Sequence, residues 1–201
     1  YQLIISSSHL VSKGILTSPD QLHISYVHTP ARYAWDQMHT YLEQSRLAKI
    51  GLGPLIAWQL HRFRQWDQSS SARVDLFIAN SHFTSQRIAK YWGRKSQVIH
   101  PPVDLKRFNW RNARDDFYLC VCRLVPNKRV DILVNAFNHL NLPLVVVGDG
   151  SQKSYIRRIA KKNIKVIGSS APSVVEDLMS RCRAFVYAGV EDFGIAPVEA
   201  M

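Results

Sequence analysis

The stretch from Phe117 to Gly150, FYLCVCRLVPNKRVDILVNAFNHLNLPLVVVGDG, decides the fold. It opens with Phe117–Cys122, a continuous apolar run of strand length. Val130, Leu133, Val134 and Phe137 follow at helical spacing, and Leu144–Val147 is a second short apolar run, closed by Gly148-Asp149-Gly150. A buried strand, a helix and another buried strand in that order predict a parallel pair joined by a crossover helix.

The alternation continues in both directions. C-terminally it predicts a basic helix over Gln152–Lys162, a strand at Ile164–Ile167, a helix opened by Pro172, a strand at Ala184–Tyr187 and a last helix beginning near Gly194. N-terminally, Leu3–Ser6, Leu22–His28, Val74–Ala79 and Val98–Ile99 read as strands. Asn80-Ser81 reads as a helix cap, with Thr84, Ile88, Tyr91 and Trp92 on one face of the helix it starts. His100-Pro101-Pro102 interrupts this order, and the polar stretch to Asp116, containing Arg111, Asn112 and Arg114, reads as a connection. The expected fold is α/β, with two Rossmann-like domains at 1–107 and 108–201, both incomplete. The chain does not begin with Met and stops at Met201 inside the last expected helix, so it reads as a segment of a longer protein.

Residues 30–68 are rich in aromatics and bases, and Gly51-Leu52-Gly53-Pro54 divides them into two helical pieces. That mixture suits a helix lying on a membrane surface or lining a groove, and equally a core helix with a solvated basic face.

Charge narrows the partners. The 201 residues carry 26 Lys and Arg against 15 Asp and Glu, a net charge of +11. The balance is 13 − 6 = +7 for residues 1–107 and 13 − 9 = +4 for 108–201. A phosphorylated substrate or an anionic membrane surface fits it, as does a generally basic solvated surface. No dense basic arm or nucleic-acid motif is present, so no nucleic-acid partner is expected. No run reaches the roughly 20 apolar residues that span a bilayer, and no signal peptide is visible. Of three cysteines, Cys120 and Cys122 point to one face of a strand without further ligands, which predicts buried reduced thiols of a cytosolic protein and no metal site.

Three constellations carry chemistry. In VEDFGIAPVEAM, 190–201, Glu191 sits just past the C-terminal end of a strand, where open α/β sheets bind ligands. Phe193-Gly194 turn into a helix whose first free N–H groups suit a diphosphate, and Glu199 is expected one and a half turns further on. Two carboxylates can accept paired hydroxyls of a sugar and a ribose; equally, Glu191 can complement a helix dipole and Glu199 be solvated. In CRLVPNKRVD, 122–131, Arg123 closes a strand and Lys128 precedes a helix, two cations that could neutralise a diphosphate or be surface charges. Gly148 and Gly150 mark a tight turn at the same edge. In SYVHTPARYAWD, 25–36, His28 ends a strand, as a cleft-facing group or as a satisfied core histidine; His9 is placed at the start of another expected helix.

These strings together resemble a known family. EDFGIAPVEA looks like the E-x7-E motif of retaining GT-B glycosyltransferases of family 4 (group 1). CRLVPNKRVDILVNAF resembles its R-x4-K segment, ANSHFTSQRI with IHPPVDLKRF its end-of-N-domain passage, and YVHTPARYAWD its acceptor-side histidine loop. The matches run in family order over most of the chain. The resemblance implies that Arg123 and Lys128 contact a donor diphosphate and that Glu191 contacts the transferred sugar, with backbone around Phe193, Gly194 and Ile195. It implies that Glu199 binds the ribose and that His28 sits beside sugar and acceptor. It implies retention of configuration without a metal, and no D-x-D triplet is present. The family's first N-domain strand, its glycine-rich loop and everything after the second glutamate are missing here, so the segment alone is expected to be inactive. The histidine loop and aromatic-basic stretch look most like bacterial mannosyltransferases that build surface polysaccharide. That implies GDP-mannose as donor, a glycan or lipid-linked acceptor, and a cytoplasmic protein, peripheral at the inner membrane face. A sugar-nucleotide epimerase and a non-catalytic nucleotide-sugar-binding protein remain the alternatives.

Overall fold

The computed structural model describes residues 1–108 and 114–201. Arg111 and Asn112 of the expected connection lie outside the described residues. The chain divides into two compact units, Tyr1–Pro101 and Pro102–Met201, so the division falls at the Pro101-Pro102 break, ahead of the 107/108 boundary expected.

The first unit runs β1 (Leu3–Ser8), β2 (Leu22–Val27), α1 (Met38–Gln44), α2 (Gly53–Ser70), β3 (Leu76–Ala79), α3 (His82–Trp92) and β4 (Ser96–Val98). Its sheet is wholly parallel, in the order β1-β2-β3-β4. The period-two burial of β2 turns His23, Ser25 and Val27 inward, toward a core of Val27, Val74, Phe77, Ala79, Ile88 and Trp92. Helix α3 starts as expected: the Ser81 hydroxyl accepts from Thr84 N at 3.0 Å, satisfying one of the helix's free donors. It ends at Gly93 in the left-handed region, φ 66°.

No helix begins at His9, which is exposed; the chain bends and makes a single 3-10 turn over Ser12–Gly14. Lys13 in that turn explains why. Its side chain is fully buried, with Nζ 2.9 Å from Asp67 Oδ1, 2.8 Å from Asp67 O and 2.6 Å from Ser70 Oγ. Asp67 Oδ2 accepts from Trp35 Nε1 and Trp92 Nε1 at 2.8 and 2.7 Å. A charge this deep is tolerated only when it is paired and its neighbours are hydrogen-bonded. Burial pulls the Lys13 pKa below its ordinary value, against the opposing pull of Asp67. The Gly51-Leu52-Gly53-Pro54 break is present: Ile50 and Gly51 leave helical geometry, with Gly51 at φ 93°, and Pro54 enters the first turn of α2.

The second unit runs β5 (Tyr118–Val121), α4 (Val130–Leu140), β6 (Leu144–Val147), α5 (Lys153–Ile159), β7 (Ile164–Gly168), α6 (Pro172–Arg181), β8 (Ala184–Phe185) and α7 (Ile195–Glu199). Its parallel sheet has the order β7-β6-β5-β8. Apolar residues cover both faces. Cys120, Leu144 and Val146 pack with Val130, Val134 and Phe137 of α4, while Leu119 and Val147 pack with Leu178 and Met179 of α6. Each fully buried Leu or Val here contributes about 1.5–3 kcal/mol.

Several elements are shorter than expected, α5, β8 and α7 among them. Helix α5 stops at Ile159, because Asn138 binds the chain just beyond: Nδ2 donates to Ile159 O at 2.7 Å, and Oδ1 accepts from Lys161 N at 3.0 Å. Strand β8 pairs only Ala184 and Phe185, with Tyr118 and Leu119. Helix α7 closes at Glu199, which is therefore its last residue, and Met201 lies outside it.

Candidate functional site

In the second unit, β5, β6 and β7 follow one another outward in the sheet, and β8 returns to the other side of β5. The order therefore reverses between β5 and β8, and in open parallel sheets the crevice at the carboxyl ends of two such strands is where ligands bind.

The residues after β5 are fixed first. Cys122 N donates to Val147 O at 3.1 Å and Leu124 N to Asp149 O at 2.8 Å, so the loops after β5 and β6 are laced together. Gly148 makes this approach possible. At φ 147°, a Cβ on it would lie 1.8 Å from the Cys122 carbonyl oxygen. The close backbone approach at Gly148 is thus made to its own neighbouring loop. A 3-10 turn over Pro126–Lys128 follows and is capped by Arg129 at φ 50°. A non-glycine residue held there costs about 1–2 kcal/mol, and it lies directly between Lys128 and the start of α4.

The residues after β8 meet that turn. Lys128 Nζ forms an ion pair with Glu191 Oε1, and the Tyr187 hydroxyl donates to the same oxygen. The Lys128 and Glu191 side chains are 14% and 28% exposed, so the pair is sheltered yet reachable. Lys128 Nζ also lies 5.9 Å from the centre of the Tyr187 ring. Gly189 permits this packing: a Cβ there would stand 3.0 Å from the Tyr187 ring and 3.1 Å from Lys128 Cα. Burial, and then the hydrogen bond to Glu191, push the Tyr187 hydroxyl well above its ordinary pKa, so it stays a donor.

The structure thus brings Lys128 and Glu191 into contact, and adds Tyr187, which the sequence reading treated only as the end of a strand. A polar aromatic side chain closing an apolar strand four residues before Glu191 was the available signal. Arg123 is exposed one residue past Cys122, on the same edge. Gly194, at φ 84°, precedes α7 and holds a tight turn; a Cβ there would lie 3.4 Å from Glu191 Cβ and from Pro197 Cγ. Phe193 is half-buried and Ile195 is exposed beside it. Glu199 is the last residue of α7. It lines a cavity of about 290 Å³ with Leu105, Phe108, Arg114, Met179 and Ser180, which neither Lys128 nor Glu191 lines. Among the described residues, no group of three or more His, Cys, Asp or Glu side chains could hold a metal ion.

In the first unit, His28 is exposed at the end of β2, its Nε2 2.8 Å from the Ser7 hydroxyl and its ring edge-on to Tyr26. The loop after it is pinned by α3. Thr84 Oγ1 donates to His28 O at 3.3 Å, and buried Arg87 donates to Thr29 Oγ1 at 2.8 Å and to Asp36 Oδ1 at 2.6 Å. The histidine is therefore a presented group, with the satisfied-core reading set aside by its exposure. Arg87 had no signal in the sequence, since its partners are more than fifty residues away.

Residues 104–201 match the family model described as glycosyl transferases group 1. A curated relative, an uncharacterised glycosyltransferase of Methanocaldococcus jannaschii, is 26% identical over 143 residues, covering 69% of this chain and 40% of its own length. A GDP-Man:Man(3)GlcNAc(2)-PP-Dol alpha-1,2-mannosyltransferase of Candida glabrata is 27% identical over 124 residues, covering 57% of this chain and 24% of its own. The chain thus spans less than half the length of these relatives. Among solved structures, sucrose-phosphate synthase from Thermosynechococcus elongatus superposes with a TM-score of 0.67 at 16% identity, over 100% of this chain and 53% of that one. At that identity the likeness is one of fold, the α/β architecture with parallel sheets found in GT-B glycosyltransferases. The family-model match lies wholly within the second unit. The family match spans every residue of the Lys128–Glu191–Tyr187 cluster.

Proposed function

We propose that the protein is a retaining glycosyltransferase that moves a hexose from a nucleotide diphosphate sugar to a glycan or lipid-linked acceptor. The observation that carries this reading is the Lys128–Glu191–Tyr187 cluster at the reversal point between β5 and β8. A fixed cation and a fixed carboxylate side by side meet the two needs of such a donor, a charged diphosphate and a ring of hydroxyls.

In this reading Arg123 and Lys128 bind the diphosphate. Without donor, Lys128 is paired with Glu191; an arriving diphosphate competes for the ammonium, and sugar hydroxyls then occupy the carboxylate. Tyr187 keeps that carboxylate in place while the exchange occurs. Backbone at Phe193, Gly194 and Ile195 completes the donor side, Glu199 is assigned to the ribose, Gly148 to the loop edge beside the phosphates, and His28 to the sugar and acceptor. The acceptor oxygen forms its bond to the anomeric carbon on the face from which the diphosphate departs. The carbon–oxygen bond to phosphate breaks, the electron pair leaves with the diphosphate, and the acceptor proton passes to the departing phosphate oxygen. No metal is required for this sequence. Mannose from GDP-mannose is the donor we assign, supported by the donor named for the Candida glabrata relative. The reaction then runs in the cytoplasm, at the inner membrane face where the acceptor is lipid-linked.

A panel of GDP-, UDP- and ADP-sugars on the full-length protein, with a lipid-linked acceptor present, tests the reading by nucleotide release. Release from one donor, abolished in Glu191→Ala, is expected. Equal turnover in wild type and Glu191→Ala would refute the site, and nucleotide binding without release from any donor would favour a binding protein.

A further inference from the structure

The first unit carries a surface that the chemistry above does not use. Helix α2 has two stripes. Ile56, Leu60, Phe63, Asp67 and Ser70, three and four residues apart, face the unit and are half-buried or buried. Leu55 and Trp58 face outward at 54% and 49% exposure, on the side where a globular helix ordinarily carries polar groups. Ahead of the helix, Leu52, Ile50 and Leu47 are exposed as well, at 41%, 73% and 54%. Large apolar groups concentrated in this way mark an interaction site more often than a bare surface.

Within this stretch the charges have one sign, with the exposed Glu43 just ahead of it. From Gln44 to Trp66 there is no Asp or Glu, and Arg46, Lys49, Arg62 and Arg64 supply four positive charges. Arg64 is turned inward, its Nη1 donating to Ala34 O at 2.8 Å. Arg46, Lys49 and Arg62 are exposed, and the Arg62 guanidinium lies 5.2 Å from the centre of the Trp58 ring. Apolar side chains, a tryptophan and bases are thus exposed along one short segment, a helix and the turn before it. No helix among the described residues is long and apolar enough to cross a membrane, so the contact this segment can make is superficial.

We propose that Leu47, Ile50, Leu52, Leu55 and Trp58, with Arg46, Lys49 and Arg62, form a docking surface for an anionic phospholipid bilayer. The apolar groups enter the boundary between headgroups and acyl chains, Trp58 sits at the level its amphipathic ring favours, and the three bases meet the lipid phosphates. Opposite charge selects the bilayer type: a zwitterionic surface offers the bases no net attraction, whereas each base beside an anionic surface contributes about fivefold in affinity. The inference stands independently of the transfer reaction assigned to Glu191.

Co-sedimentation of the full-length protein with phosphatidylcholine vesicles, with and without phosphatidylglycerol, tests it. Binding to the anionic vesicles alone is expected, weakening as salt rises. The triple variant R46Q/K49Q/R62Q should lose on the order of a hundredfold, and L55S/W58S should bind poorly while keeping its thermal midpoint, since both side chains are exposed. A control variant R157Q/R158Q/K161Q, on exposed bases of the second unit, should bind as wild type does. Equal loss in the control would overturn the proposal in favour of diffuse charge. Absence of vesicle binding, with self-association in wild type that L55S/W58S abolishes, would overturn it in favour of an interface between copies.

Discussion

Replacing Tyr187 by Phe removes one hydrogen bond and leaves the ring. In the structure the hydroxyl donates to Glu191 Oε1, the oxygen that also holds Lys128. A hydrogen bond to a charged group contributes about 1.5–3 kcal/mol, but Glu191 is 28% exposed and water recovers part of that. A loss of about 1.4 kcal/mol is the reasoned figure, which is tenfold in a rate if the bond holds the carboxylate where the transition state needs it. The nucleotide's own contacts, assigned to Arg123 and Lys128, are untouched. The expected result is therefore a kcat about tenfold lower, a nucleoside diphosphate Kd within about twofold of wild type and a thermal midpoint lower by only a few degrees. Nucleotide release with the active donor measures the first, and isothermal titration with GDP or UDP the second. A kcat within twofold of wild type would refute the positioning argument, as would a parallel tenfold loss of nucleotide affinity. Since a donor for which wild type is active must be found first, failure of the transfer reading shows separately, as silence in wild type. The hydroxyl also sets a pH limit. Its proton is held more tightly in the folded state than in the unfolded chain, so its contribution is intact below about pH 10 and is lost as pH rises through the higher folded value. Y187F should flatten the fall in stability above that pH, as followed by urea unfolding.

Three further substitutions probe other parts of the argument. Lys128→Met should leave Glu191 with Tyr187 alone and weaken nucleoside diphosphate binding at least about tenfold, read by the same titration; unaltered affinity would remove Lys128 from the donor site. Gly148→Ala should destabilise by more than about 2 kcal/mol, because its Cβ has no room beside the Cys122 carbonyl, whereas Gly93→Ala, with open space around it, should cost about 1 kcal/mol. Urea denaturation compares them, and similar costs would contradict the lacing of the two loops. Lys13→Met should cost about 3–5 kcal/mol, since it strands a buried Asp67 with two indole donors and no cation; a midpoint unchanged from wild type would show that the network is not structural.

What the sequence discloses, and what it withholds, follows from the range of each interaction. The apolar runs of β5 and β6 and the helical spacing of α4 are local patterns, and of the four residues that spacing selects, Val130, Val134 and Phe137 are buried and Leu133 is half-buried against them. Ser81 as a cap is local too, and its hydroxyl makes the bond expected. The shortened β8 and α5 are decided by partners distant in sequence. Only two residues of β8 find a ladder on β5, and Asn138 of α4 holds the end of α5. The buried Lys13–Asp67 pair joins residues 54 apart, with Trp35 and Trp92 donating to the same carboxylate, and no period in the sequence encodes it. His9 follows a strand, and a helix was expected there; the turn found instead buries Lys13 against Asp67 and Ser70, partners more than fifty residues away.

The candidate site shows how a few long-range facts convert local motifs into a constellation. Position after a strand places Arg123, Lys128 and Glu191 on the carboxyl edge of a parallel sheet, but that edge is long, and adjacent strands stand about 4.8 Å apart. Had β8 extended the sheet beyond β7, Glu191 would lie three strands from Lys128, some 14 Å away, and no shared ligand contact would follow. The order β7-β6-β5-β8 instead makes β5 and β8 neighbours, so whatever follows β5 must meet whatever follows β8. Given that adjacency, an ammonium and a carboxylate 63 residues apart become a pair, and Tyr187, the side chain between strand and carboxylate, is the group left in position to hold it. Tyr187 thus belongs to the site for a topological reason, and its importance could not be weighed until the strand order was known.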